Sequence, residues 1–121
     1  MSTALLIPEI RERLLQNGRI SAEYMTKCEA APDFLPVVKL FTPDADCTWL
    51  LTELDPEEPD IAFGLCDLGM GCPELGSVRI SEIEGVRGKL RLPVERDLSF
   101  TFTKTLSAYA GEAYERGCIL T

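Results

Sequence analysis

The sequence predicts an α+β fold, in which an antiparallel sheet of about five strands has N- and C-terminal helices packed against it. Three observations carry this prediction. Apolar residues recur at helical spacing near both ends of the chain, β-branched and aromatic runs fill its middle, and turn residues separate those runs closely enough for hairpins. The 121 residues, close to half of them apolar, predict a single domain over residues 1–121.

A first helix is predicted over residues 7–18, "IPEIRERLLQNG". Pro8 suits the first helical position and Gly18 follows as a stop, while a stripe at helical spacing is formed by Ile7, Ile10, Leu14 and Leu15. Residues 19–35 have no clean period and are expected to form an irregular connector with one helical turn near residues 22–25.

Strand-like runs then follow one another along the chain. "PVVKLFTP" (36–43) and "CTWLLTEL" (47–54) flank the turn residues "TPDAD", so a hairpin is expected. The prolines and acids of "DPEEPD" predict another turn, after which "IAFGLCDL" (61–68) and "ELGSVRI" (74–80) read as a third and a fourth strand.

The last part of the chain predicts two more helices and one more strand. Ser81 and Glu84 have the spacing of a capping box for a short helix "SEIEGVR", and "LSFTFT" (98–103) alternates as a half-buried strand should. "LSAYAGEAYERG" reads as the C-terminal helix, ended by Gly117, with an inward stripe of Leu106, Tyr109, Ala110 and Ala113.

Charge is distributed unevenly along the chain, whose net charge is −8. No Lys or Arg occurs between Lys39 and Arg79, and that span contains nine acids: Asp44, Asp46, Glu53, Asp55, Glu57, Glu58, Asp60, Asp67 and Glu74. An acidic surface repels phosphate backbones, so direct nucleic-acid binding is disfavoured. The same surface favours a basic protein partner.

Catalytic and cofactor chemistry finds little support in the residues. Histidine is absent, which excludes a histidine base, a histidine proton shuttle and a two-histidine metal centre. No phosphate-binding or dinucleotide-binding glycine loop occurs. The five cysteines lack the close pairs of a structural zinc site, so we expect no cofactor, no metal and no bond between Cys66 and Cys72.

Seven residues are candidates for binding a partner. The Pro-rich acidic turn supplies Asp55, Glu57, Glu58 and Asp60, and the acidic surface extends to Asp67 and Glu74. Trp49 is either a core residue or an exposed anchor for a partner, and the sequence leaves both interpretations open.

Taken together, four motifs in this order resemble the family called domain of unknown function 2958. The motifs are "PVVKLFTPDADCTWLLTEL", "GLCDLGMGCPELG", "LRLPVERDLSF" and "TLSAYA". The resemblance covers roughly residues 5–116. It implies a small protein of bacterial plasmids and other mobile elements, and it brings no activity and no catalytic residues.

The function expected from these observations is a small, acidic, non-catalytic module that binds or regulates another protein in the bacterial cytoplasm. Its sharper form is a protein that counters a host defence or nucleic-acid-handling protein. Two alternatives stay open. One is an enzyme that works with carboxylates alone. The other is a nucleic-acid binder that uses the basic 79–96 segment through Arg79, Arg87, Lys89, Arg91 and Arg96. No membrane span is expected, because the apolar runs are too short.

Overall fold

A computed structural model describes residues 5–121 and confirms the α+β prediction. In chain order, its elements are α1 (Pro8–Thr26), β1 (Val38–Phe41), β2 (Thr48–Leu54), β3 (Ile61–Asp67), β4 (Glu74–Arg79), α2 (Ile80–Glu84), β5 (Glu95–Arg96) and α3 (Leu106–Arg116). The strands form one antiparallel sheet in the order β4-β3-β2-β1-β5. The predicted hairpin of the first two strands is confirmed, with Leu40 opposite Trp49.

The sheet is covered on both faces because successive side chains of a strand point in opposite directions. Trp49 and Leu51 belong to the larger apolar cluster, with Leu14 of α1. Leu50 belongs to the other cluster, whose remaining buried members are Leu65 of β3 and the predicted inward stripe of α3, namely Leu106, Tyr109, Ala110 and Ala113. A β-bulge between Leu51 and Glu53 shifts the alternation, and Leu54 thereby joins the same cluster as Trp49.

The prediction that α1 ends at Gly18 is wrong, because the helix continues to Thr26. Gly18 is buried, and a Cβ added there would lie 1.8 Å from the carbonyl oxygen of Leu54. The glycine therefore serves a close approach of helix and strand rather than a stop. The neighbouring Asn17 donates from Nδ2 to the carbonyl oxygen of Thr52 at 2.9 Å.

The reason for this close approach lies in the unequal lengths of β1 and β2. Val38, the first residue of β1, pairs with Leu51, so the last three residues of β2 extend beyond β1. A strand edge without a neighbour leaves backbone groups unpaired. Helix α1 covers this edge, and Asn17 supplies the hydrogen bond that a neighbouring strand would have given to Thr52.

Two further predictions need correction. The segment 98–103 forms no strand, although Phe100 and Phe102 do pack against the α3 cluster, and the fifth strand is instead Glu95–Arg96 beside β1. Ser81 does not cap α2, because it lies inside the helix, whose N-cap residue is Arg79.

Within residues 5–121, no helix has the length and apolar character needed to cross a membrane.

Candidate functional site

A groove runs between the C-terminal half of α1 and the adjoining end of the sheet. It consists of two adjoining cavities of about 390 and 350 Å³, and both are lined by Ser21, Met25, Glu53 and Phe63. The first lobe is completed by Gly18, Ala22, Asp55, Pro56, Glu57, Ile61, Ala62 and Ser77, and the second by Cys28, Glu29 and Ala31. We call the two lobes together the α1–β3 groove.

The sheet side of the groove is a row of side chains that crosses three strands. Glu53 of β2 pairs with Phe63 of β3, and Phe63 pairs in turn with Ser77 of β4. Phe63 is 36% exposed, and Met25 on the facing helix is 77% exposed. A partly exposed aromatic ring and a flexible thioether at one place are the side chains that accommodate a ligand of varied shape.

Glu53 is the half-buried carboxylate of the groove. Its Oε1 accepts a hydrogen bond from Ser21 Oγ at 3.0 Å. Desolvation raises the pKa of Glu53 above its ordinary value, the Ser21 hydrogen bond opposes that shift, and the charge of Asp55 adds to it. No Lys or Arg lines either lobe, so the charge of Glu53 has no cation beside it in the groove.

The acidic turn supplies two further carboxylates to the groove. Asp55 and Glu57, both predicted as candidate residues, line the first lobe and are exposed. Asp55 Oδ1 accepts the backbone N–H of Glu57 at 2.9 Å, which shapes the turn. Within residues 5–121 the Glu57 carboxylate itself forms no hydrogen bond or ion pair.

The other two acids of that turn are bound to the protein itself. Arg79 forms ion pairs with Glu58 at 2.8 Å and with Asp60 at 3.6 Å. Asp60 also accepts hydrogen bonds from the backbone N–H of Ser81 at 3.0 Å and from its Oγ at 2.7 Å, and these bonds lower the pKa of Asp60. Asp60 therefore performs the capping role that the sequence assigned to Ser81.

Three remaining candidates lie away from the groove, and the structure removes two of them from the surface. Trp49 is 2% exposed in the α1 cluster, which assigns it to the core. Asp67 is 3% exposed, and its two oxygens accept the backbone N–H groups of Gly69 and Ile119, each at 2.9 Å. Glu74 is exposed on β4 but does not line the groove.

Another cavity, of about 470 Å³, lies where the loop from β3 to β4 meets the end of α3. Its cation, Lys39, is already paired with Asp97 at 3.4 Å and lies 5.2 Å from the ring centre of Phe100. Burial raises the pKa of Cys47, which also lines this cavity, so its thiol is held in the unreactive form. This cavity therefore offers a ligand neither a free cation nor an activated nucleophile.

The cysteines carry no metal-binding arrangement in the part of the chain that the structure describes, where no three potential ligands come together. All five thiols are free, and Cys72 is exposed. Cys66 on β3 has its pKa raised to about 11, mainly by burial.

The basic 79–96 segment is not one free patch. Arg79 pairs with the acidic turn, Arg87 donates to the carbonyl oxygens of Glu84 and Val86, and Arg96 donates to the carbonyl oxygen of Leu5. Lys89 and Arg91 are the exposed members whose side chains make no such contact with residues 5–121.

Glu53 was one of the nine acids between Lys39 and Arg79, but the sequence gave no reason to select it. Its position depends on the bulge in β2 and on the continuation of α1 past Gly18, and neither has a clear signal in the sequence.

Comparison with known proteins gives one match. The family model described as "Protein of unknown function (DUF2958)" covers residues 5–120. No curated protein matches the chain, and no solved structure does. The chain belongs to the DUF2958 family of proteins of unknown function.

Proposed function

We propose that this protein is a small binding module that holds a segment of another protein in the α1–β3 groove. The observation that carries the proposal is the composition of the groove. It joins the exposed apolar surfaces of Met25 and Phe63 to the carboxylates of Glu53, Asp55 and Glu57, with no Lys or Arg in its lining. A groove with an apolar floor and charges of one sign suits an amphipathic segment that carries basic residues.

The charge of the whole chain supports a basic partner. The net charge is −8, and several acids of the base-free span are already used inside the protein, as the contacts of Glu58, Asp60 and Asp67 illustrate. The acids of the groove are left to face a partner. Long-range attraction from such a surface accelerates the encounter with a cationic protein and weakens as salt is added.

More specifically, we propose that the partner is a nucleic-acid-handling or defence protein of a bacterial host. Proteins that bind nucleic acid present basic surfaces, and such a surface is the electrostatic complement of this chain. The resemblance of the sequence to proteins of plasmids and mobile elements supports the same setting, in the bacterial cytoplasm.

Photo-crosslinking tests the groove as the binding site. A photoreactive amino acid replaces Met25, which belongs to both lobes, and in a matched control it replaces Leu98, which is 81% exposed and lies outside the groove. We expect one bacterial protein to be crosslinked from position 25 and not from position 98. In a third protein, Ala22→Arg is combined with the photoreactive residue at position 25, and the added bulk in the first lobe abolishes the crosslink. Equal crosslinking from both positions, or no effect of Ala22→Arg, would contradict the proposal.

An enzyme that works with carboxylates is the second candidate, and the raised pKa of Glu53 in a groove favours it. General acid catalysis needs a carboxyl group that holds its proton near the working pH. A screen of hydrolase substrates with wild type and Glu53→Gln tests this candidate. A turnover that Glu53→Gln abolishes would establish it, and a turnover equal in both proteins would exclude Glu53 as the catalytic group.

A further inference from the structure

We call the set of residues shared by the two lobes of the α1–β3 groove its waist. Ser21, Met25, Glu53 and Phe63 are the residues that line both lobes. A segment that occupied both lobes would therefore lie against these four side chains. The waist contains a single ionisable group, the Glu53 carboxylate, and apolar or hydroxyl side chains around it.

The Glu53 carboxylate is only partly satisfied by the protein. Oε1 accepts the hydrogen bond from Ser21, and no residue within 5–121 donates a hydrogen bond or forms an ion pair with Oε2. Partial desolvation of the ionised group opposes folding, and no Lys or Arg lines the groove to offset that cost. A cation that entered the waist would offset this cost, and a half-buried carboxylate gains more from such a contact than an exposed one.

The apolar members of the waist suit the rest of a cationic side chain. Long basic residues bury their methylene stems on apolar surface while the charged head meets an acceptor. The Met25 thioether and the Phe63 ring supply that surface from opposite walls, one on the helix and one on the sheet. The ring of Phe63, the strand partner of Glu53, can also attract a cation directly, and guanidinium groups most of all.

We infer that the waist of the α1–β3 groove binds one arginine or lysine side chain of the partner, with its cation on Glu53 Oε2 and its stem between Met25 and Phe63. The inference rests on the proposed function and deepens it, because it names the chemistry that the partner must present. The remaining acids of the groove, Asp55 and Glu57, are exposed and add attraction without fixing a position.

Titration of ¹⁵N-labelled protein with short peptides tests the inference without knowledge of the natural partner. The probes are acetyl-Leu-Arg-Leu-amide, its lysine analogue and its citrulline analogue, which has nearly the shape of arginine but no charge. The backbone signals of Ser21, Glu53 and Phe63 report on the waist. We expect the arginine and lysine peptides to shift these signals and the citrulline peptide to bind about tenfold more weakly, as the loss of one charge-assisted contact requires.

Two variants complete the experiment. Glu53→Gln removes the charge and keeps an oxygen for Ser21, and Glu115→Gln is the matched control on the exposed side of α3. Glu53→Gln should lower affinity for the arginine peptide about tenfold and leave the citrulline peptide unchanged, whereas Glu115→Gln should alter neither.

The peptide titrations test the cation site at the waist, and the crosslinking experiment tests the proposed function, so the two can fail independently. Equal binding of the arginine and citrulline peptides, no effect of Glu53→Gln, or no shift of the waist signals by any peptide would each overturn the cation site. The crosslink from position 25 would still stand in those cases. A lost crosslink with an intact preference for the cationic peptides would instead refute the protein partner and retain the waist as a cation-binding site. The relative affinities of the arginine and lysine peptides identify which side chain the waist prefers.

Discussion

Replacing Gly18 by alanine should destabilise the protein, although alanine is normally the better residue in a helix. Inside an exposed helix the exchange of Gly for Ala stabilises by about 0.5–1 kcal/mol. At position 18 the new Cβ would lie 1.8 Å from the carbonyl oxygen of Leu54 and 3.3 Å from Cδ of Pro56. The obstacle nearest to it is backbone, which cannot rotate away, so α1 must move back from β2 by roughly 1 Å or more to restore an ordinary contact.

The expected loss of stability follows from the contacts that this movement of α1 breaks. Overpacking of this kind costs about 1–3 kcal/mol. The hydrogen bond from Asn17 to Thr52, now 2.9 Å long, is stretched beyond bonding distance, and a partly buried carbonyl group left without a partner costs about 1–3 kcal/mol more. After the intrinsic gain of alanine is subtracted, Gly18→Ala should lower the free energy of unfolding by about 3 kcal/mol.

Urea denaturation measures the effect, and the sequence provides a sensitive reporter. Trp49 is the single tryptophan and is buried in the cluster that α1 covers. A loss of about 3 kcal/mol should lower the urea midpoint by about 1–3 M.

Gly111→Ala is the matched control for this measurement. Gly111 lies in α3, is exposed, and has nothing within 4 Å of an added Cβ. Its replacement should raise the stability by about 0.5–1 kcal/mol. If Gly18→Ala also stabilised the protein, α1 would not approach β2 as described, and the wall of the groove would be misplaced.

Three further predictions concern single side chains. Glu53→Gln should be more stable than wild type at pH 7, and the difference should vanish at pH 4. A raised folded pKa means that stability falls as pH rises from the ordinary glutamate pKa of about 4.3 through the folded value, and urea midpoints at both pH values measure this. Asp67→Ala should lower the free energy of unfolding by about 2–4 kcal/mol, because two backbone N–H groups lose their buried acceptor, and the same denaturation assay would contradict this if the midpoint stayed unchanged. Alkylation followed by mass spectrometry should modify Cys72 rapidly and Cys66 only after unfolding, and equal rates in the native protein would contradict the burial of β3.

The first four strands and the C-terminal helix were predictable because their signals are local. Turn residues fix the hairpin of β1 and β2, and the stripe of α3 agrees with its buried side. The errors arose where one residue type serves two purposes. Glycine ends helices and also permits close packing, and the sequence around Gly18 does not distinguish the two. Likewise, the alternation of residues 98–103 correctly marked Phe100 and Phe102 as inward, yet inward alternation alone does not supply a partner strand.

The candidate site was predicted only in part, for a physical reason. Counting charged residues along the sequence identified the acidic span between Lys39 and Arg79. Such a count does not distinguish acids that contact the protein itself from acids that are free for a partner. Asp55 and Glu57 do line the groove, whereas Asp60 caps a helix and Asp67 ties two loops together. Whether an acid is free for a partner depends on which backbone N–H groups and cations lie near it after folding. Those neighbours are distant in sequence, as the separation of 52 positions between Asp67 and Ile119 illustrates.

The stability of the fold and the existence of the groove both depend on the unequal lengths of β1 and β2. Because β1 begins opposite Leu51, the end of β2 has no neighbour strand, and α1 takes that place through Asn17 and Gly18. The helix continues for two more turns beyond this contact, where it faces the row of side chains that begins at Glu53 and is separated from it by the groove. A β1 extended by three residues would cover the edge of β2 and displace α1. A change that alters the contact at Gly18 should therefore alter peptide binding at the waist as well as the stability, whereas Gly111→Ala should alter stability alone.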